Sequence, residues 1–376
     1  MSKASPASLP KSIDRDPIGQ FIDRTLHLNP FLFGVLIFIL NIVVDGLLAW
    51  RFNAFFSSSQ NPGLLQDPIA LTTDLIVEPI LCGLFLWTIQ GTESMLRTLS
   101  DSDALKTNPK YREQLKHYLP LYRNRAIFVL ALVLALFFTF TQVAAYMGWV
   151  PWRTLSGYLY IFPPMSFARA PFWFISIYAV LYAIYNVAVT IFVLHRIFQT
   201  GKIDLVPLHP DRCAGLGSIG DYMVRIGYVL APLGFIISIW VIIENSKNTL
   251  LGEYVFLLAI VAYVVLAPSL FFLPLWTVHR AMRKSKRNEL LKLADLFNQN
   301  YFKSVDDLSK PNKASDENAN KKIEDVTRLY AVIEKTPEWP FDFATVGRYI
   351  AIVFGPLIPA VISVIVTEAS KRIPFP

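Results

Sequence analysis

Cysteine is nearly absent from this 376-residue sequence. The two present, Cys82 inside an apolar run and Cys213 in a glycine-bearing loop, cannot make a disulfide framework. Charge is scarce as well: 17% charged residues stand against 54% hydrophobic ones, with a mean hydropathy of +0.43, a composition too apolar for an ordinary soluble core. There is no H-E-x-x-H motif, no P-loop and no Ser-His-Asp set, so an enzyme acting on a lipid-linked substrate is the weakest reading and no cofactor is expected. No internal repeat is visible, which disfavours an inverted-repeat transporter. The first apolar run is followed by Arg51-Phe52-Asn53, not by small residues, and so reads as a retained anchor and not a cleaved signal.

What is present is a series of long apolar runs. A hydrocarbon core of roughly 30 Å takes about 20 helical residues. Seven segments are long enough: 31–50, 69–90, 126–148, 171–195, 221–243, 254–279 and 343–366. The expected fold is therefore all-α, a polytopic membrane protein of seven transmembrane helices. Lys and Arg number 4, 7, 3 and 13 in the N-terminal segment and alternate loops, but only 1, 2, 1 and 2 in the others. That asymmetry predicts the N-terminus inside and the C-terminus outside, the reverse of the G-protein-coupled receptors. The expected organisation is a cytosolic, partly disordered segment 1–30, then a six-helix region 31–279 with inner loops 91–125 and 196–220. Cytosolic amphipathic helices and a linker follow at 280–341, and a seventh helix with a short outer tail at 342–376.

Three carboxylates fall inside the outer half of the spans: Asp45 in the first, Asp74 and Glu78 in the second. Asp74 and Glu78, four apart, share a helical face, and Pro79 follows at once. An ionisable group in a bilayer costs several kcal/mol unless it faces water or a partner. One reading is an acidic, outward-facing cavity shared by spans 1 and 2. The other leaves Asp45 and Asp74 at the interface, hydrogen-bonded to water, which fits the deeper Glu78 less well. Arg153 and Arg169, in the outer loop 149–170, are candidate partners.

The polar stretch 205–221 is the one place with chemistry outside the spans. It holds His209, Asp211, Arg212 and Cys213, then Gly215, Gly217 and Gly220 ahead of a span beginning near Asp221 and carrying Arg225. Gly215-Leu-Gly217-Ser-Ile-Gly220 matches a dinucleotide fingerprint in letters only, since no strand precedes it and a membrane helix follows. His209, Asp211 and Cys213 lack a fourth zinc ligand, so no metal is expected. Two readings remain. Backbone N–H groups of the glycine loop, with Arg212, Arg225 and His209, could hold a phosphate or lipid headgroup; or Pro and Gly shape a tight turn that Asp211 caps. Asp221 is placed to cap the fifth span.

Leu208-His209-Pro210-Asp211 followed by Gly215-Leu216-Gly217 resembles a loop of bacterial multi-pass membrane proteins, in which two glycines usually precede the Leu; Ala214 replaces the first here. The resemblance covers about a dozen residues and implies a bacterial inner (plasma) membrane setting, but no activity.

Arg283, Lys284, Lys286 and Arg287 form a juxtamembrane cluster suited to anionic lipid headgroups, or simply a topology signal. Beyond it, apolar residues at helical spacing from Leu290 to Tyr301 and from Ile323 to Ile333 predict two amphipathic helices able to pair as a hairpin or to assemble copies of the chain. The partners expected are the bilayer and a possible homo-oligomer, with no nucleic acid. The functions left standing are an ion channel or membrane sensor using the outer acidic pocket, and a proton-coupled transporter of a small solute or lipid.

Overall fold

The computed structural model describes residues 16–56, 61–106, 109–151, 156–200, 206–245, 250–308 and 317–372. Among them every regular element is helical. Seven helical segments are long and apolar enough to cross a membrane: Pro30–Arg51, Pro68–Asp101, Glu113–Tyr146, Met165–Gln199, Gly217–Ile239, Ile260–Val305 and Phe343–Thr367. The chain is an integral, multi-pass membrane protein. The face at which the first span begins is called proximal here, and the opposite face distal.

The expected disorder of the N-terminal segment does not extend to residues 16–25. Asp16 caps α1 (Pro17–Gln20), which opens with proline at a position where no N–H is needed, and a wide turn over Phe21–Thr25 continues it. Asp16, Gly19 and Ile22 are buried, Ile22 in a cluster with Phe33, Ile37 and Phe85. This segment therefore packs into the proximal end of the bundle.

The first span is α2 (Pro30–Arg51), capped by Asn29 with Pro30 at its first turn. The second is composite: α3 (Pro68–Thr72), a π turn at Thr73–Val77, and α4 (Glu78–Asp101). The cause is Pro79, which has no N–H and whose ring would collide with the carbonyl four residues back. Widening the turn removes that clash, but it aims the Asp74 carbonyl at position 79, where no donor exists.

Short α5 (Asp103–Lys106) and α6 (Pro109–Tyr118) cover the proximal face. Then come α7 (Arg125–Tyr146), α8 (Met165–Thr200) and α9 (Gly217–Asn245). Helices α4, α8 and α9 form the centre, with α2 against α4 and α7 against α8. The outer faces of α2 and α7 present bare apolar side chains such as Leu47, Val133 and Phe137, as a lipid-facing surface should.

Helix α10 (Leu250–Leu308) has 59 residues, about 90 Å by helical rise, so roughly two-thirds of it lies beyond a ~30 Å core. α11 (Glu317–Glu334) returns antiparallel along it, with Val326 and Tyr330 beside Phe297. The two amphipathic helices thus pair with each other within the chain. The chain re-enters the bundle through Trp339, stacked on His279 at 4.0 Å, and ends in α12 (Phe343–Phe354) and α13 (Ile358–Arg372) on either side of a tight turn at Pro356.

Candidate functional site

Two polar sites lie at opposite ends of α4. The distal one is centred on Arg169, in the second turn of α8, whose side chain is fully buried. Its Nη2 stands 2.7 Å from Asp74 Oδ1 and 3.1 Å from Glu78 Oε2. Its Nη1 donates to Asn41 Oδ1 at 2.8 Å and lies 3.4 Å from Asp45 Oδ2. The three carboxylates are thus brought together, with Arg169 as their shared partner; Arg153 falls outside the described residues. All three are buried, at 3% to 6% exposure, and Arg169 joins the acidic residues read from the sequence into one ion cluster.

Two residues not singled out as site residues complete it. Asn41 donates to the Asp74 carbonyl, the oxygen stranded by the π turn, and to Glu78 Oε2 at 3.1 Å. Tyr158 donates to Asp45 Oδ1 at 2.8 Å. Tyr158 is itself placed by Asp67, which caps α3 with one oxygen while the other accepts from Ser156, Gly157 and Tyr158. Among the described residues two polar atoms of the cluster stay unmatched: Asp45 Oδ2 receives no hydrogen bond, and Arg169 Nε donates none. Asp74 and Glu78 border a cavity of about 550 Å³ whose polar lining includes Gln142, Tyr146 and Ser176.

Between the two sites the helix interfaces carry polar links. Thr92 donates to Asn186 at 2.6 Å and lies 3.0 Å from the Tyr222 hydroxyl. Asn186 thus joins α8 to α4.

The proximal site is built from the glycine loop. Asp211 Oδ1 accepts from the amides of Cys213 at 2.9 Å and Gly215 at 3.1 Å, and its Oδ2 from Gly217 at 2.9 Å; His209 Nδ1 lies 2.6 Å away. Burial pushes the Asp211 carboxyl up, but those three amides and His209 outweigh it and hold it below the ordinary carboxylate value. The amides expected to receive an anion are therefore occupied by the loop's own carboxylate. The helix begins at Gly217, so its cap is Asp211 and not Asp221, which lies inside the first turns.

The backbone pattern explains the glycines. Arg212, Ala214 and Gly215 all have left-handed φ, of 54°, 57° and 89°. A Cβ on Gly220 would fall 2.6 Å from the Pro340 carbonyl oxygen, so this residue permits the start of α9 to touch the chain entering α12. Cys213 is buried beneath the loop, and burial with the nearby carboxylates of Asp211, Asp342 and Asp221 pushes its thiol up to about 12.

A polar cavity of about 810 Å³ lies beside the loop, between the proximal ends of α4, α9 and α12. His209, Asp211, Gly215, Gly217 and Arg225 line it, as does Arg348 from α12, which sequence reasoning passed over. Arg212 is exposed and does not line it. On the basic cluster, Arg283, Lys284 and Arg287 are exposed, but Lys286 turns inward to the Thr336 carbonyl at 2.9 Å and Glu338 at 3.5 Å. It holds the hairpin's return.

Comparison with protein-family models, curated proteins and solved structures finds no match for the chain.

Proposed function

We propose that the protein is a proton-coupled transporter of a small solute, with its proximal face in the cytoplasm as the Lys and Arg asymmetry predicts. One observation carries this reading: three buried carboxylates share a single guanidinium at membrane depth, beside a cavity. Fully ionised, the cluster has two excess negative charges, and each uncompensated buried charge costs several kcal/mol. Bound protons remove that cost, and a substrate cation or a rearrangement of Arg169 changes how many protons the cluster holds. Coupling of solute to protons follows from that exchange. The π turn beside Pro79 supports it, because it supplies a wide, proline-bounded turn at the carboxylates themselves.

The test is a proteoliposome assay with an internal pH dye and a panel of small organic cations, zwitterions and anions added outside. At least one solute class is expected to drive protein-dependent proton movement that Glu78→Gln abolishes. Proton movement absent with every class, or unaltered by Glu78→Gln, overturns the reading.

A ligand-gated channel or membrane sensor is the second reading. It rests on α10, whose unbroken 59 residues join the membrane bundle to the hairpin and would carry a displacement between them. Unitary currents in planar bilayers would favour it.

A further inference from the structure

A groove of about 390 Å³ runs between α2 and α4, lined by Phe31, Gly34, Phe38, Ile76, Ile80 and Trp87, with almost no polar surface. Glycine makes it possible. A Cβ on Gly34 would stand 2.9 Å from the Pro79 carbonyl oxygen, and one on Gly83 would stand 2.9 Å from that of Pro30, so the two backbones touch and the floor carries no side chain. From Ile76 to Trp87 the groove extends about 17 Å by helical rise, slightly more than half of a ~30 Å core. It starts at the proximal face, where Pro30 opens α2, and runs toward the bilayer centre.

Its proximal end is Trp87, and Trp87 also carries Arg225. The guanidinium carbon lies 4.4 Å from the ring centroid, and Nη1 donates to the Trp87 carbonyl at 3.2 Å. Gly91 leaves room for this, since a Cβ there would fall 2.6 Å from Arg225 Cδ. From that perch Arg225 lines the 810 Å³ polar cavity, together with Arg348. Among the described residues neither arginine has a carboxylate within ion-pair distance. Two of the cavity's four aspartates are committed, Asp211 to the loop amides and Asp342 to the cap of α12; Asp101 and Asp221 are exposed.

We infer that groove and cavity form one amphiphile site, occupied by a glycerophospholipid of the proximal leaflet. One acyl chain lies in the groove along Gly34 and Ile80, and the phosphate meets Arg225 at its mouth. An apolar slot of acyl-chain length leads to a cation with no carboxylate partner among the described residues, in a polar cavity, an arrangement that complements a phosphate attached to a tail. Free phosphate shares the headgroup chemistry and has no use for the groove.

The experiment is native mass spectrometry of the delipidated full chain titrated with phosphatidylglycerol, in parallel with inorganic phosphate and with a non-ionic alkyl glycoside. Arg225→Gln removes the headgroup contact. Ile80→Trp fills the groove from an exposed position, and therefore remains informative where Arg225→Gln does not fold. The expected result is a saturable phospholipid adduct, weakened about tenfold or more by Arg225→Gln, as loss of a charge-assisted hydrogen bond implies, and weakened likewise by Ile80→Trp, which excludes the acyl chain. Neither inorganic phosphate nor the glycoside is expected to compete at equal concentration. Unchanged binding in both variants would mean ordinary annular lipid only. Equal competition by inorganic phosphate would mean a free-phosphate site, and equal competition by the glycoside an unselective groove. Each of those three results overturns the inference.

Discussion

Asn41 donates its side-chain N–H to the backbone carbonyl of Asp74, the oxygen that the π turn aims at the donor-less Pro79. This bond connects the irregularity of the second span to its ion cluster, since the same amide group also donates to Glu78 and accepts from Arg169. A local defect caused by proline thus becomes a fixed point of the site. Asn41→Leu leaves a buried carbonyl and two charged groups short of partners. About 1 to 3 kcal/mol of stability should be lost, with a matching fall in melting temperature in detergent; a melting curve equal to wild type would sink this account of the turn.

Arg169 should be the least tolerant residue of the protein. Arg169→Ala strands three buried carboxylates, and breaking a buried pair in this way costs about 3 to 5 kcal/mol. Asp45→Asn should cost much less, because Asp45 sits farthest from the guanidinium, at 3.4 Å, and one of its oxygens has no donor among the described residues. Reversal of that order in thermal unfolding would show that Arg169 does not hold the cluster together.

Much of this could be read from the chain, and the limits have physical causes. Hydropathy marks the seven spans because bilayer thickness fixes their length. Asp45, Asp74 and Glu78 stand out because charge is rare in such runs. Arg169 was legible only as a possible partner in a loop; the helix starts at Met165, ahead of the apolar run, so its place on α8 had no signal in hydropathy. The π turn had one faint sign, Pro79 directly after Glu78. The contact between Arg225 and Trp87 spans 138 residues and had none. In the glycine loop the signal was Asp211 itself, a carboxylate spaced two, four and six residues ahead of the amides it accepts from, and the capped turn, one of the two readings of the sequence, is the observed loop.

Neighbouring positions of that loop should respond in opposite directions to small substitutions. Ala214 holds a φ of 57°, which costs an L-residue roughly 1 to 2 kcal/mol. Ala214→Gly relieves this against about 0.5 to 1 kcal/mol of added chain entropy, so stability should rise slightly. Gly215→Ala should lower it, since φ is 89° and the new Cβ would meet Ser102 Oγ at 2.9 Å. Paired melting curves check the signs, and the same sign for both would refute the backbone explanation.

The loop's stability should also depend on acid. The Asp211 carboxyl is held below its ordinary value, so its contribution is fully present above the unfolded value of about 4 and is lost as pH falls through the lower, folded value. Asp211→Asn should therefore be less stable than wild type near neutrality, with the difference closing below about pH 4. A difference constant with pH would assign the effect to shape instead of charge.

Asp16 should show the opposite pH dependence. Burial pushes its carboxyl up, and the hydroxyl of Tyr178 and the amides of Gly19 and Ile18 only partly offset this. A raised folded value stabilises docking of α1 fully below the unfolded value of about 4, and that stabilisation fades as pH rises through the folded one. The segment that closes the proximal end beside α4 and α8 should then loosen toward neutral and alkaline pH. Asp16→Asn keeps a side-chain oxygen for the Gly19 amide but carries no charge, so it should stay docked across the whole range. Limited proteolysis within residues 16–25, run between pH 5 and pH 9 on both proteins, separates the cases. Cleavage that accelerates with pH in wild type alone, once corrected for the protease's own pH profile, is the expected result. Equal pH dependence in the variant would mean that a group other than Asp16 governs the segment.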